Sequence, residues 1–354
     1  MKTKLLIFVL VLMVLSGCQQ KRTDAIEIGA IVPLTGYSAI TGGKFMQGLE
    51  LAVEEINQEN LPFSFKIIIE DSKSTGKDAH NAYRKLAGRG VKYFAAFGGQ
   101  FVMGFAAETN NSDKVLFTSA APNSNLLSLT NRCFRLYPTI DMLTDEVKNH
   151  ILQHDYKRIA VINAQNEAYS MCAEYLIRKM NEVGKDVVLK ESYDPSCQDF
   201  KNIVNKIASH NIDFIYSAGL GESSALLTKQ IYLNPQTSHI PIIGDMNYSN
   251  PENLAIIGEI KSPIYIVDSY IDSSFKDAYY AKYNQMPNAL SAYGYSIPYM
   301  LKEAFLSLGV EVSTDEIFNY IKSGSFETAA GTISFDSITS EPILDLITNS
   351  KMPE

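Results

Sequence analysis

The chain has 354 residues, enough to build two separate hydrophobic cores. Apolar residues make up 46% and charged residues 20%, ordinary values for a soluble globular protein. The formal net charge is −8 and no basic run occurs, which argues against nucleic acid as a partner.

Residues 1–4, Met-Lys-Thr-Lys, are basic, and an uninterrupted apolar run follows over residues 5–15. A bilayer span needs about 20 apolar residues, so this run fits the core of a secretory signal peptide instead. It ends in Leu15-Ser16-Gly17-Cys18, which resembles the lipobox of bacterial lipoproteins. The resemblance implies removal of residues 1–17, lipidation of Cys18, and a short tether over 18–25. The protein is then expected outside the cytoplasm, anchored to a membrane by lipid and facing the periplasm in a Gram-negative cell. Gln19 after the cysteine favours the outer membrane where one exists. No later apolar run is long enough to span a bilayer.

The body of the chain alternates strands and helices. A β-branched run over 26–32 stops at Pro33 and reads as a strand. A loop follows over 33–43, rich in Gly, Thr, Ser and Tyr. Phe45, Leu49, Ala52, Val53 and Ile56 then fall on one helical face, with the Glu54–Glu55 pair facing outward. Strands are expected at 65–70, 93–97, 115–118 and 133–136, and helices at 78–87 and 102–110. The second half predicts helices at 139–154, 168–183, 199–209 (capped by Asp199) and 223–233. Its strands fall at 158–162, 187–193, 214–217, 240–243 and 264–267. The tail holds helices at 274–285 and 289–308, a third from Asp315, and a strand at 331–335. This alternation implies two doubly wound parallel-sheet α/β domains.

Ligands bind at the carboxyl ends of strands in such folds. Glycines recur there: Thr41-Gly42-Gly43, Gly98-Gly99-Gln100, Gly219-Leu220-Gly221 and Gly244-Asp245. None matches a dinucleotide fingerprint or a Walker loop, so no nucleotide cofactor is expected. His150 and His154 lack a third ligand and read as a solvated helix end, not a metal site. The chain has no His-Glu-x-x-His, Cys-x-x-Cys or Gly-x-Ser-x-Gly sequence, and nothing pairs a nucleophile with a base. An enzyme is not expected. Cys133, Cys172 and Cys197 remain in the mature chain, read either as three free, mostly buried thiols or with a Cys172–Cys197 disulfide.

The order of these elements resembles the type I periplasmic solute-binding proteins of the branched-chain amino acid (leucine/isoleucine/valine) class, which deliver ligands to ABC importers. The matching segments include IEIGAIVPLTG, GGKFMQGLELAVEEIN, YFAAFGGQ, VLFTSAAPNSNL, RIAVINAQNEAYS, IDFIYSAGLGE, PIIGDMN and GTISFD. The resemblance covers nearly all of the mature chain. It implies two lobes joined by three crossing strands, one of residues 26–138 plus 270–326 and the other of 139–269 plus 327–354. A ligand would lie between them, captured by hinge closure and handed to a permease by a monomer.

Carried over by residue, the first wall would comprise Tyr37, Thr41, Gln100, Phe101, Val102, Thr118, Ser119, Ala120 and Pro122. The second would comprise Tyr169, Leu220, Asp245, Met246 and Asn247, with Tyr293 near the hinge. Three positions depart from the amino-acid-binding pattern. Val102 and Pro122 stand where hydroxyl residues usually hold the ligand carboxylate. Met246 stands where an acid usually meets the ammonium, with Asp245 next door. The ligand is therefore left open among small polar metabolites, amino acids included. A sensory lipoprotein of the same fold that transports nothing is the competing reading.

Overall fold

The computed structural model describes residues 25–121, 125–219, 221–245, 248 and 251–353. The expected signal peptide, Cys18, Pro122, Leu220, Met246 and Asn247 lie outside the described residues.

The first sheet contains β1 (Ile26–Val32), β2 (Phe65–Asp71), β3 (Tyr93–Phe97), β4 (Val115–Ser119) and β5 (Cys133–Arg135). All run parallel, in the order β2-β1-β3-β4-β5. The connecting helices are α1 (Ala39–Gln58), α2 (Gly76–Gly88), α3 (Gly99–Val102), α4 (Ala106–Thr109) and α5 (Leu126–Leu129). One helix was expected over 102–110; two short ones form instead. α1 begins earlier than its apolar stripe predicts, so Thr41, Gly42 and Gly43 are helical and the loop shrinks to 33–38. Gly42 permits this: a Cβ there would lie 2.4 Å from the Pro33 carbonyl oxygen.

The second sheet takes the order β14-β10-β9-β8-β6-β7. In chain order its elements are α6 (Ile140–Gln153), β6 (Ile159–Ala164), α7 (Glu167–Glu182), β7 (Val187–Tyr193), α8 (Lys201–Ser209), β8 (Phe214–Ala218), α9 (Gly221–Leu233), β9 (Ile242–Asp245), α10 (Pro251–Ile257) and β10 (Ile264–Ser269). The cap expected from Asp199 is displaced: α8 starts at Lys201, whose amide donates to the Asp199 carboxylate at 3.0 Å. Cys172 and Cys197 are free thiols in cores on opposite faces of this sheet, which keeps them from bonding.

The remaining helices are α11 (Ser273–Tyr283), α12 (Ala289–Leu308) and α13 (Thr314–Ser323), followed by β11 (Ser325–Thr328), β12 (Gly331–Phe335), β13 (Pro342–Leu344) and β14 (Leu346–Lys351). α12 lies against α1 so closely that a Cβ at Gly48 would sit 1.9 Å from the Ser291 carbonyl oxygen, and one at Gly294 2.1 Å from that of Phe45. Of the pair expected to face outward, Glu54 stays exposed, while Glu55 is half-buried in this contact. Glu54 pairs with Lys282, and Glu55 accepts hydrogen bonds from Tyr295 and Tyr299.

The tail corrects one expectation. Residues from 327 on were assigned to the second lobe, but β11, β12 and β13 form a separate antiparallel sheet. Its Phe326, Ile333, Phe335 and Leu344 share a core with Phe45, Phe117 and Phe134 of the first unit. Only β14 joins the second sheet, antiparallel to β10. The chain thus passes between units after β5, after β10 and between β13 and β14. The last two passages are tied where the Tyr270 amide donates to the Asp345 carbonyl, at 3.1 Å.

Candidate functional site

At the carboxyl edge of the first sheet, the 33–38 loop is fixed by Asp71. Its carboxylate accepts from the Leu34 and Lys73 amides (2.9 and 2.8 Å) and from the Thr35 hydroxyl (2.7 Å). Against the opposing cost of burial, these bonds hold the Asp71 carboxyl below its ordinary range. Tyr37 is 78% exposed and meets Phe101 edge-on, ring centres 6.0 Å apart. Thr41 is exposed and donates to the Ser38 carbonyl, as expected in a first helical turn. Gln100 is exposed.

Of the other described first-wall candidates, Phe101, Val102, Thr118 and Ser119 are buried and Ala120 is half-buried. Phe101 and Val102 are buried in a layer with Phe94, Phe105 and Leu116. Thr118 and Ser119 are inaccessible, and the Ser119 hydroxyl has no hydrogen-bond partner among the described residues. Ala120 adopts a left-handed φ of +52°, a strained conformation at the strand end. Beneath it the fully buried Arg135 donates to the Ala121 carbonyl (3.1 Å) and pairs with Glu341. Tyr293, expected near the hinge, is also fully buried. Its hydroxyl lies 2.5 Å from that of Ser269 at the end of β10, and burial pushes its pKa upward, so it braces a passage and presents no surface to a ligand.

The second sheet's carboxyl edge differs. Asn166 caps α7 by accepting from the Ala168 and Tyr169 amides (2.9 and 3.3 Å), which fixes Tyr169 in the first turn. Tyr169 and Asp245, both expected at the site, line one cavity of about 220 Å³. Its other walls come from Tyr137 on the first passage, from Ile140, Leu143 and Val147 of α6, and from Cys172, Tyr216, Ala218 and Val267. Sequence reasoning missed these. Apart from Tyr137, each lies on an inward face of a strand or helix and carries the same pattern as a filled core.

Two glycines of the strand-end series make room for tyrosines, and one of them, Gly244, also lines the cavity. A Cβ at Gly244 would lie 2.3 Å from the ring of Tyr248, and one at Gly219 2.0 Å from the Tyr193 hydroxyl. The Asp245 charge is felt across this region. Burial above all, with that carboxylate as a smaller contributor, pushes the Cys172 thiol and the Tyr193 hydroxyl up to about 12, and Tyr137, Tyr216 and Tyr248 upward as well. These groups stay neutral at physiological pH. The thiol is held in its unreactive form.

His150 departs from its expected solvated position. It is 5% exposed, packed against the Tyr265 ring at 4.1 Å with Phe214 and Tyr156 nearby, while His154 is exposed. Among the described residues no group of three or more His, Cys, Asp or Glu could hold a metal ion.

A sequence profile described as periplasmic binding protein matches residues 25–346. The Leu/Ile/Val-binding protein BraC3 of Rhizobium johnstonii is 28% identical over 240 residues, which span 65% of this chain and 64% of that protein. Among solved structures, the substrate-binding protein LivJ of Streptococcus pneumoniae, in complex with isoleucine, superposes with a TM-score of 0.75 at 19% identity, covering 92% of this chain and 95% of its own. A solute-binding protein from Rhodopseudomonas palustris in complex with dihydroxybenzoic acid gives 0.77 at 17% identity, covering 92% of each chain.

Proposed function

The chain belongs to the periplasmic binding protein family, and from that premise we propose an extracytoplasmic, lipid-tethered solute receptor that takes up a small polar metabolite between two lobes and delivers it to an ABC importer. The family is one of binding proteins, not enzymes.

The observation that carries the reading is the cavity lined by Tyr169 and Asp245 at the carboxyl edge of the second sheet, with Tyr137 of a connecting passage in its wall. Ligands of open α/β sheets bind at such edges. In this reading one lobe comprises the first sheet with α11–α13 and β11–β13, and the other comprises the second sheet with β14. The passages braced by Tyr293–Ser269 and Tyr270–Asp345 act as the hinge. Tyr37, Thr41 and Gln100 supply the exposed lip of the first lobe, and Cys18 carries the lipid.

The ligand classes bound by the similar structures, a branched-chain amino acid and an aromatic acid, define the first compounds to try. Calorimetry on the mature protein with both classes and with the corresponding amines, together with small-angle scattering, tests the reading. One compound class should bind and reduce the radius of gyration. Absence of binding by every class, with an unchanged radius, would overturn it. Cys18→Ala should release the protein from membranes; unchanged membrane association would remove the lipid anchor from the account.

A further inference from the structure

We propose that the mature protein pairs with a second copy of itself through β2, the two strands running antiparallel about a twofold axis at Ile68, in place of the monomer that the family resemblance implies. Among the described residues β2 pairs with β1 alone, so its other side is the edge of the first sheet. This edge lies opposite β5, from which the chain passes to the second unit. Hydrogen bonds around β2 fix which of its residues face outward, because successive residues of a strand turn their backbone groups to alternate sides. The Ser64 carbonyl accepts from the Ile26 amide and the Ser72 amide donates to Val32, so the even-numbered residues turn toward β1 and the odd-numbered ones away. Of the latter, Phe65 is closed off by Asn57, whose side chain accepts from its amide and donates to its carbonyl, both at 2.8 Å. Ile67 and Ile69 have no such cap: among the described residues their outward amide and carbonyl groups meet no partner. Ile69 is 42% exposed, and Ile67 and Ile68 are half-buried. An edge of this kind, without a proline or a break in register, is a template for another strand.

The strand's own sequence, Phe65-Lys66-Ile67-Ile68-Ile69-Glu70-Asp71, selects a second copy as the occupant, because it complements itself when reversed. With the axis at Ile68, Ile67 stands opposite the partner's Ile69. Both turn their open backbone groups into the contact and exchange hydrogen bonds, and the symmetry repeats the exchange. Lys66 comes opposite the partner's Glu70, and Glu70 opposite the partner's Lys66. These positions face one another at the closer spacing of a pair without backbone bonds, where opposite charges attract. The capped Phe65 comes next, so the ladder ends where Asn57 closes it. Lys66 and Glu70 already pair within the chain, with Glu27 at 3.4 Å and Lys85 at 2.7 Å, so the crossing charges extend existing ion pairs into a network. No other antiparallel register sets Ile67 opposite Ile69 and Lys66 opposite Glu70.

Sedimentation of the mature protein over a concentration series tests this, with Cys18→Ala present so that no lipid can drive association and thermal melting as the check on the fold. The protein should pass from monomer to dimer as its concentration rises. Lys66→Glu and Glu70→Lys each set like charges face to face on both sides of the axis, and each should weaken the dimer about tenfold. Mixed in equal amounts, the two variants should pair with one another about as tightly as the unaltered chain does with itself, because each meets the opposite charge. The double variant, Lys66→Glu with Glu70→Lys, should recover in the same way. Ile69→Lys, at an exposed position of the edge, should dissociate the dimer and stands in should a charge variant fail to fold. A monomer at every concentration would hand the edge to another occupant and overturn the inference. A dimer that these substitutions leave unchanged, or single-variant losses that neither the mixture nor the double variant recovers, would also overturn it.

Discussion

The two sheet edges share a topology and differ in what lies behind them. On the first edge, the candidates Phe101, Val102, Thr118 and Ser119 are buried, whereas Tyr37, Thr41 and Gln100 are exposed. On the second edge, Tyr169 and Asp245 open onto a chamber of about 220 Å³. Among the described residues the first edge offers a ligand an exposed lip, whereas the second can enclose one. Position at a strand end therefore does not make a residue a ligand contact. What decides is whether the layer beneath it is full.

Disturbing the full side should cost the most. Arg135→Ala removes the fully enclosed partner of a part-buried ion pair and the donor to Ala121, and should lower stability by about 3 kcal/mol in denaturant unfolding. Gly48→Ala drives a methyl group against the Ser291 carbonyl and should cost about 3 kcal/mol in the same measurement.

At acid pH a comparable effect belongs to the second unit. Burial, with His154 adding a like charge, holds the His150 imidazole down at about 4, below its ordinary value of about 6.5. The folded state keeps the ring neutral and the unfolded chain binds the proton. The contribution of His150 is therefore complete above about pH 6.5 and is lost as pH falls through about 4, about 3 kcal/mol in all. His150→Phe should flatten that part of the stability–pH profile; an unchanged slope would show the ring to be solvated.

The smallest effect sharpens the contrast most. Val147→Leu adds a methylene to the chamber and should stabilise the ligand-free protein by about 1 kcal/mol. Val102→Leu makes the same change in a full layer and should destabilise it by about 1 kcal/mol or more. Equal signs for the two would erase the distinction between the edges.

Much of the fold was legible in the sequence, because β-branched runs and helical stripes such as Phe45–Leu49–Ile56 report burial directly. The errors have physical causes. Thr41-Gly42-Gly43 reads as a turn from composition, yet Gly42 serves the contact of a helix with Pro33. β11, β13 and β14 are short or polar, and β14 (Leu346–Lys351) is an edge strand whose pairing with β10 leaves little periodic signal. The candidate site was less legible. Val102 and Tyr293 occupy the right ends of the right elements, but their burial depends on tertiary packing. Ile140, Leu143 and Val147 read as core because a void is a property of how side chains meet, not of any one of them.

Methyl NMR of the mature protein, titrated with the compound that binds most tightly among amino acids, aromatic acids and amines, tests the central claim directly. The methyl groups of Ile140, Leu143 and Val147 should shift with saturation while those of Val102 stay nearly fixed. Saturable binding that moves Val102 and leaves the three chamber residues unchanged would contradict the account.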